Sequence, residues 1–160
     1  MQKAANEKFL STKKGKIIVS SVSVGLIVII SVILWFALGR KSLKSTIEKL
    51  HKDANAISID DAYTSDATKA GTTLTSVKGK IKIDEIKTAI DNFNKGKKDS
   101  DKIKATVDTL TTAMTELETK SKETGFTKDT FVNALNKVKD EAKKLATDIN
   151  TQAKLEVKFE

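Results

Sequence analysis

Few residues in this chain have types and spacings suited to catalysis or metal binding. The 160-residue sequence has no cysteine and a single histidine, His51, which excludes disulfides, thiol nucleophiles, thiolate metal sites and sites with two imidazoles. His51 stands among lysines beside an apolar stripe, a position typical of a packed or solvated histidine rather than a ligand. The chain also lacks a glycine-rich phosphate loop and a serine–histidine arrangement.

The carboxylates are equally unspecific. Pairs occur at Asp60 with Asp61, Asp84 with Glu85, and Asp140 with Glu141. Each pair falls at a predicted helix start or on a polar face, where acids offset the helix dipole or keep the surface solvated. Residues 91–96 have the acids, amides and glycine of a calcium loop, but the spacing is wrong and Lys95 occupies a ligand position. The sequence therefore predicts that the protein is not an enzyme, with no catalytic residue, cofactor or metal.

The longest apolar run indicates a membrane segment. Residues 17–39 contain no charged residue. As a helix they would span about 34 Å, enough to cross a hydrocarbon core of about 30 Å. Trp35 and Phe36 lie near one end, a few residues before Arg40 and Lys41, as favoured at a lipid–water boundary. The residues predicted to lie at the membrane interface are Lys13, Lys14, Lys16, Trp35, Arg40 and Lys41.

The flanks and the small residues of this run bear on orientation and packing. Five basic residues precede it and five follow within residues 40–52, so the charge rule does not decide the topology. A short basic tail is typical of a signal anchor, which predicts residues 1–16 in the cytoplasm and residues 40–160 outside. Ser21 and Gly25 form a small-xxx-small pair that predicts helix packing, the alternative being small residues that face lipid.

Two processed forms are alternatives to a retained anchor. Ala37 and Gly39 provide the small residues of a signal-peptidase site, although the run is longer than a typical leader. Residues 13–15, Lys-Lys-Gly, followed by the apolar run resemble the leader of a type IV pilin precursor. That pattern has a glutamate five residues after the cut, where Ser20 stands in this chain. Cleavage after Gly39 or after Gly15 stays open.

Residues 40–160 predict a mainly α-helical bundle or coiled coil. The chain has no proline, and its apolar residues recur at steps of three and four, which is the period of a one-sided helix. Such helices must bury their stripes against one another. The five stripes run from Leu43 to Ile57, from Tyr63 to Ile81, from Ile86 to Phe93, from Ile103 to Leu117 behind a Ser100 cap, and from Phe131 to Ile149.

Local patterns refine this prediction at two places. The last helix has a start signature, with Thr127 as N-cap, Asp129 in the first turn, and Phe126 and Phe131 at the positions of a hydrophobic staple. Residues 80–83 and 155–160 alternate polar and apolar side chains, the period of a strand. They predict a minor two-stranded ribbon, with an ordinary loop and a frayed tail as the alternative.

Charge and composition complete the functional prediction. The net charge is +8, and half of it belongs to residues 1–16 beside the apolar run, where basic residues fit topology and anionic lipid. One arginine and few aromatic residues argue against nucleic-acid binding. Lysine- and isoleucine-rich usage is typical of AT-rich bacterial genomes.

Together these features predict a single-pass protein of the bacterial surface or envelope, held in the lipid bilayer. Its helical domain would mediate a protein–protein interaction with an unknown partner. The alternatives are a self-assembling homo-oligomer of a filament, coat or membrane complex, a scaffold that faces the cytoplasm, and a soluble effector released by cleavage.

Overall fold

The structure, a computed structural model, describes residues 37–58, 67–123, 125 and 127–159. The chain divides into two units, Met1–Leu38 and Gly39–Glu160, and nearly all of the described residues belong to the second. Of the helices in the described residues, none is both long and apolar enough to cross a membrane. The predicted membrane segment, residues 17–39, lies outside the described residues except for its last three.

Helices make up most of the described chain. Residues 37–55 are helical and form α1. Four further α-helices follow, namely α2 (Ala67–Lys80), α3 (Ile83–Asn94), α4 (Asp108–Lys122) and α5 (Lys128–Ala153), with a short 3-10 turn at Asp99–Asp101 between α3 and α4. Helix α4 packs along α5, and α2 packs against α4. The prediction of a mainly helical bundle is confirmed.

The predicted stripes form the core of the second unit. Leu43, Ile47, Leu110, Leu117 and Phe131 are among the most deeply buried side chains. Their spacing places them on one face of each helix, so the same faces meet in a single cluster. Tyr63 and Phe126, which the sequence assigns to the second stripe and to the staple, lie outside the described residues.

Side chains satisfy the backbone groups at several helix ends. The Thr127 hydroxyl accepts from the Thr130 N–H at 3.3 Å, and the Thr130 hydroxyl accepts from the Thr127 N–H at 3.2 Å, which confirms Thr127 as the N-cap of α5. Beyond the end of α1, Lys80 Nζ donates to the Ala56 carbonyl at 3.0 Å. These bonds satisfy groups that helix geometry leaves without intrahelical partners.

The fourth helix begins later than predicted, and the Ser100 cap is wrong. Ser100 lies in the 3-10 turn and bonds its neighbour Asp101, while α4 starts at Asp108. Ile103 is buried without being helical. Its seven-residue distance from Leu110 resembles a helical repeat, but here a non-helical segment, residues 103–107, brings Ile103 back to the core.

The two-stranded ribbon is also wrong, because the described residues contain no strand. Lys80 ends α2 and Ile83 begins α3, so only two residues separate these helices. At the other end of the chain, Leu155 and Val157 are buried and alternate with exposed Glu156 and Lys158. The tail thus has the alternation of a strand, but it packs on the helices instead of pairing with another strand.

Candidate interaction surfaces

Most of the residues predicted to contact or span the membrane fall outside the described residues. This holds for Lys13, Lys14, Lys16, Ser21, Gly25 and Trp35. Arg40 and Lys41 are described, and both are exposed. The Arg40 guanidinium donates to the backbone carbonyl of Lys154, so Arg40 lies beside the end of α5.

The surface of the second unit is polar. Within its described residues no large apolar side chain is exposed, and the buried side-chain nitrogen and oxygen atoms there all have hydrogen-bond partners. The described residues also contain no group of three acidic or histidine side chains placed to hold a metal ion.

A row of threonines on α4 forms the most regular feature of this surface. Thr111, Thr112, Thr115 and Thr119 are exposed, and each hydroxyl donates to the carbonyl four residues earlier, at 2.8 to 3.0 Å. With Glu116, Lys120 and Glu123 they line an open groove of about 550 Å³. We call these seven residues the threonine surface. Its hydroxyls are already bonded, so the threonine side chains are fixed in place before anything binds.

Ion pairs connect the neighbouring helices to this region. Glu116 accepts from Lys137 of α5 at 2.5 Å. Glu118 accepts from Lys122 and from Lys78 of α2, each at 2.6 Å. The hydrogen bonds and charges of these two lysines lower the pKa of Glu118 to about 2, and Lys122 has the larger effect. The side of α4 next to the threonine surface is therefore joined to both α2 and α5.

A second groove, of about 230 Å³, lies between α1 and the start of α3. Its charged residues are bonded to one another, because Lys49 pairs with Asp53 at 2.5 Å and Lys82 with Glu85 at 2.7 Å. The hydrogen bond and charge of Glu85 raise the pKa of Lys82. Cations and carboxylates that already neutralise each other leave little charge for a ligand.

His51 holds the C-terminal tail. Its ring stacks on Phe159, with 4.3 Å between ring centroids and 24° between planes. Burial lowers the pKa of His51, and the positive charge of Lys143 lowers it further. The sequence predicted a packed or solvated histidine, but not Phe159 as its partner, because the two residues are 108 positions apart in the sequence.

Comparison with protein families, curated proteins and solved structures finds no match to this chain. The threonine surface was not predicted from the sequence, because threonine is a modest helix former that suggests only solvated faces. One signal was present in the four-residue spacing of Thr111, Thr115 and Thr119, which places them on one side of a helix.

Proposed function

We propose that this chain is a single-pass membrane protein whose helical unit binds another protein outside the cytoplasm, and that the partner binds at the threonine surface. The uncharged run of residues 17–39 supports the anchor. The array of fixed, exposed threonines supports the binding role. The proposal includes no catalytic activity.

The grouping of four bonded threonine hydroxyls around one groove is the observation on which the choice of this surface rests. Ordering a side chain at an interface opposes binding, and the cost is smaller where the side chain is already fixed. In the threonine surface four hydroxyls are held by the backbone of α4, so their methyl groups offer a preorganised contact. Glu116 pairs with Lys137 and Lys120 pairs with Glu123 at 2.8 Å, so the contact that this surface offers is mainly the threonine methyl groups.

The anchor and its orientation are tested first, in cells that carry tags after Met1 and after Glu160. We expect the protein to stay in the membrane fraction after alkaline carbonate extraction, and external protease to remove only the C-terminal tag. Extraction into the soluble fraction would contradict the anchor. Digestion of the N-terminal tag alone would contradict the orientation and favour the cytoplasm-facing scaffold.

Site-specific photocrosslinking tests the threonine surface. A photoreactive amino acid at Thr112 or Thr119 is expected to give one discrete product, whereas the same group at Thr75 is expected to give none. Thr75 is a matched control because it is exposed, helical and bonded to the carbonyl four residues earlier, at 2.9 Å. Thr115→Glu should abolish the product from Thr119, and Thr75→Glu should not.

The mass of the product separates partner binding from self-assembly. A product whose mass is a multiple of the 17.5 kDa chain would show contact between copies of this protein, the self-assembling alternative. A product of any other single mass supports a distinct partner. Equal crosslinking from Thr75 and Thr119 would contradict the threonine surface as the contact.

A further inference from the structure

One end of the second unit is formed where α1 begins and where α3 and α5 end. A Cβ added at Gly39 would lie 3.8 Å from the Asn92 carbonyl oxygen, and Arg40 bonds the Lys154 carbonyl. Between α3 and α4, the Lys104 N–H donates to Gln152 Oε1 at 2.7 Å. These contacts bring three stretches together, residues 39–41, 92–104 and 152–156, which we call the basic end.

Positive charge is concentrated at this end. The basic end has eight basic and three acidic residues, whereas the rest of residues 40–160 has 16 basic and 17 acidic residues. The excess of five charges is therefore local, and the remainder of the unit is close to neutral. The residues that carry it are Arg40, Lys41, Lys95, Lys97, Lys98, Lys102, Lys104 and Lys154.

These cations are less neutralised than those elsewhere in the unit. One pair lies within the basic end, between Lys102 and Asp99 at 2.6 Å. No ion pair within the described part of the chain uses the side chains of Lys95, Lys98 or Lys104. Away from this end, several lysines form ion pairs along and between helices, as in Lys49 with Asp53, Lys78 with Glu118 and Lys137 with Glu116.

Lys97 shows the local electrostatics most directly. Its ammonium lies 3.3 Å from the centre of the Phe93 ring. Burial lowers the pKa of Lys97, the charge of Arg40 lowers it further, and Asp101 opposes both. Cations from α1 and from the segment after α3 therefore interact with each other, as expected where they share one surface.

We propose that the basic end is a docking surface for the headgroups of anionic phospholipids. Two observations favour anionic lipid as the ligand. Its charge is complementary to that of the basic end, and Arg40 directly follows the predicted membrane segment. A short basic patch next to such a segment is attracted to anionic lipid within about one Debye length. The inference rests on the proposed anchor, and it adds that the helical unit is held against the bilayer.

The test uses the full chain in liposomes, either of phosphatidylcholine alone or of phosphatidylcholine with phosphatidylglycerol. The chain has no cysteine, so Ser100→Cys provides a unique site for a spin label at the basic end. Ser76→Cys provides the distant reference, since Ser76 lines a groove with Ala56 and Ile57. Those residues follow α1, about 24 Å along the helix from Arg40.

Relaxation of each label by a nickel chelate on the lipid headgroups reports its distance from the surface. We expect stronger relaxation at residue 100 in the anionic liposomes than in the neutral ones, an effect lost in high salt, and little change at residue 76. Each basic residue near an anionic surface shifts the docked population by roughly fivefold. The double variant Lys95→Glu/Lys98→Glu should therefore lose the lipid dependence.

The matched control is Lys52→Glu/Lys144→Glu, which makes the same change in charge at exposed lysines outside the basic end. It should keep the lipid dependence. Equal relaxation at residue 100 in both lipids, or equal loss in both double variants, would overturn the proposal. Binding of a DNA duplex in preference to anionic liposomes would overturn it in favour of nucleic acid.

Failure of the anchor gives a different result. If the proposed anchor is wrong, the chain will not float with neutral liposomes after carbonate treatment, whatever the charge of the basic end. If only the lipid surface is wrong, the chain floats with both liposomes and the label at residue 100 does not distinguish them. Circular dichroism of both double variants verifies that their helices are intact.

Discussion

Two segments outside the helices, residues 103–105 and 155–159, are each held by an asparagine side chain that makes two hydrogen bonds to the backbone of one residue. At the end of α3, Asn94 Oδ1 accepts from the Ile103 N–H at 2.8 Å and Asn94 Nδ2 donates to the Ile103 carbonyl at 3.0 Å. Near the end of α5, Asn150 makes the same pair of bonds to Val157, at 3.0 and 2.9 Å. A side-chain amide has both a donor and an acceptor, so each asparagine satisfies a buried residue as a neighbouring strand would.

The two segments differ in what lies on either side of them. The segment at Ile103 joins two helices, and Gln152 of α5 also accepts from the N–H groups of Lys104 and Ala105, at 2.7 and 3.1 Å. The segment at Val157 follows the last helix, and the stacking of Phe159 on His51 also holds it. The segment that Asn94 holds therefore connects α3, α4 and α5, whereas the segment that Asn150 holds is only the tail.

The largest effect is expected from Asn94→Ala. It leaves the N–H and C=O groups of Ile103, which is 5% exposed, without partners, at a cost of about 2–3 kcal/mol. Hydrogen exchange of the full chain in detergent should show faster exchange in α3, α4 and α5 together. Asn92→Ala, at an exposed position on the same helix, should change little. Faster exchange at Ile103 alone would contradict the linking role.

A smaller and more local effect is expected from Asn150→Ala. The same two bonds are lost, but the tail can detach and expose the Val157 groups to water, so the expected cost is about 1–2 kcal/mol. Peptides from residues 155–159 should exchange faster, while those from α3 stay unchanged. Asn133→Ala, at an exposed site on α5, is the control. Equal loosening of α3 would remove the distinction between the two segments.

The helical period predicted the core but not the asparagine hydrogen bonds that hold the two segments. The buried positions of Leu43, Ile47 and Leu50 follow from their spacing alone, because a helix places every third or fourth residue on one face. The alternation of residues 155–159 matches the burial of Leu155 and Val157 between exposed Glu156 and Lys158. The strand pairing was wrong because an asparagine seven residues away supplies the bonds, and no period in the sequence marks such a partner.

The candidate site was less predictable than the fold. Arg40 and Lys41 were assigned to the membrane interface from the chain order, but Lys95 and Lys98 lie more than fifty residues later. Their assignment to the same end depends on α3 running antiparallel to α1, which places Asn92 beside Gly39. Local sequence predicts neither the direction of α3 relative to α1 nor how far α3 extends along it.

Phe159→Ala tests the additional hold on the tail. Loss of the stacked ring should weaken the tail contact by about 1 kcal/mol and expose His51, so that the pKa of His51 rises toward its ordinary value. NMR titration follows this directly, since His51 is the only histidine in the chain. Phe159→Leu, which keeps an apolar cover, should give an intermediate pKa, and an unchanged pKa in Phe159→Ala would contradict the contact.

The lowered pKa of His51 also gives the tail a pH dependence. The free tail leaves His51 better able to bind a proton than the attached tail does, so attachment weakens as the pH falls below about 6.5 toward the lowered value. Hydrogen exchange of residues 155–159 should therefore accelerate on acidification after correction for the intrinsic exchange rate. The segment at Ile103 should not follow this dependence, and Phe159→Ala should reduce it.

The smallest effect concerns the backbone where each segment leaves its helix. Gly96, after α3, has φ 75°, and Lys154, after α5, has φ 49°, so both adopt the left-handed region but only the first is glycine. Lys154→Gly should stabilise the end of α5 by about 0.5 kcal/mol, and Gly96→Ala should destabilise the end of α3 by a similar amount. Lys154→Gly keeps the backbone carbonyl that Arg40 binds, and Gly96→Ala does not alter it.

Lys154→Ala separates backbone strain from loss of the charge, because alanine removes the ammonium and keeps the strained conformation. If the glycine and alanine variants at position 154 are equally stable, strain at this exit is negligible, and the two segments then differ only in their side-chain contacts.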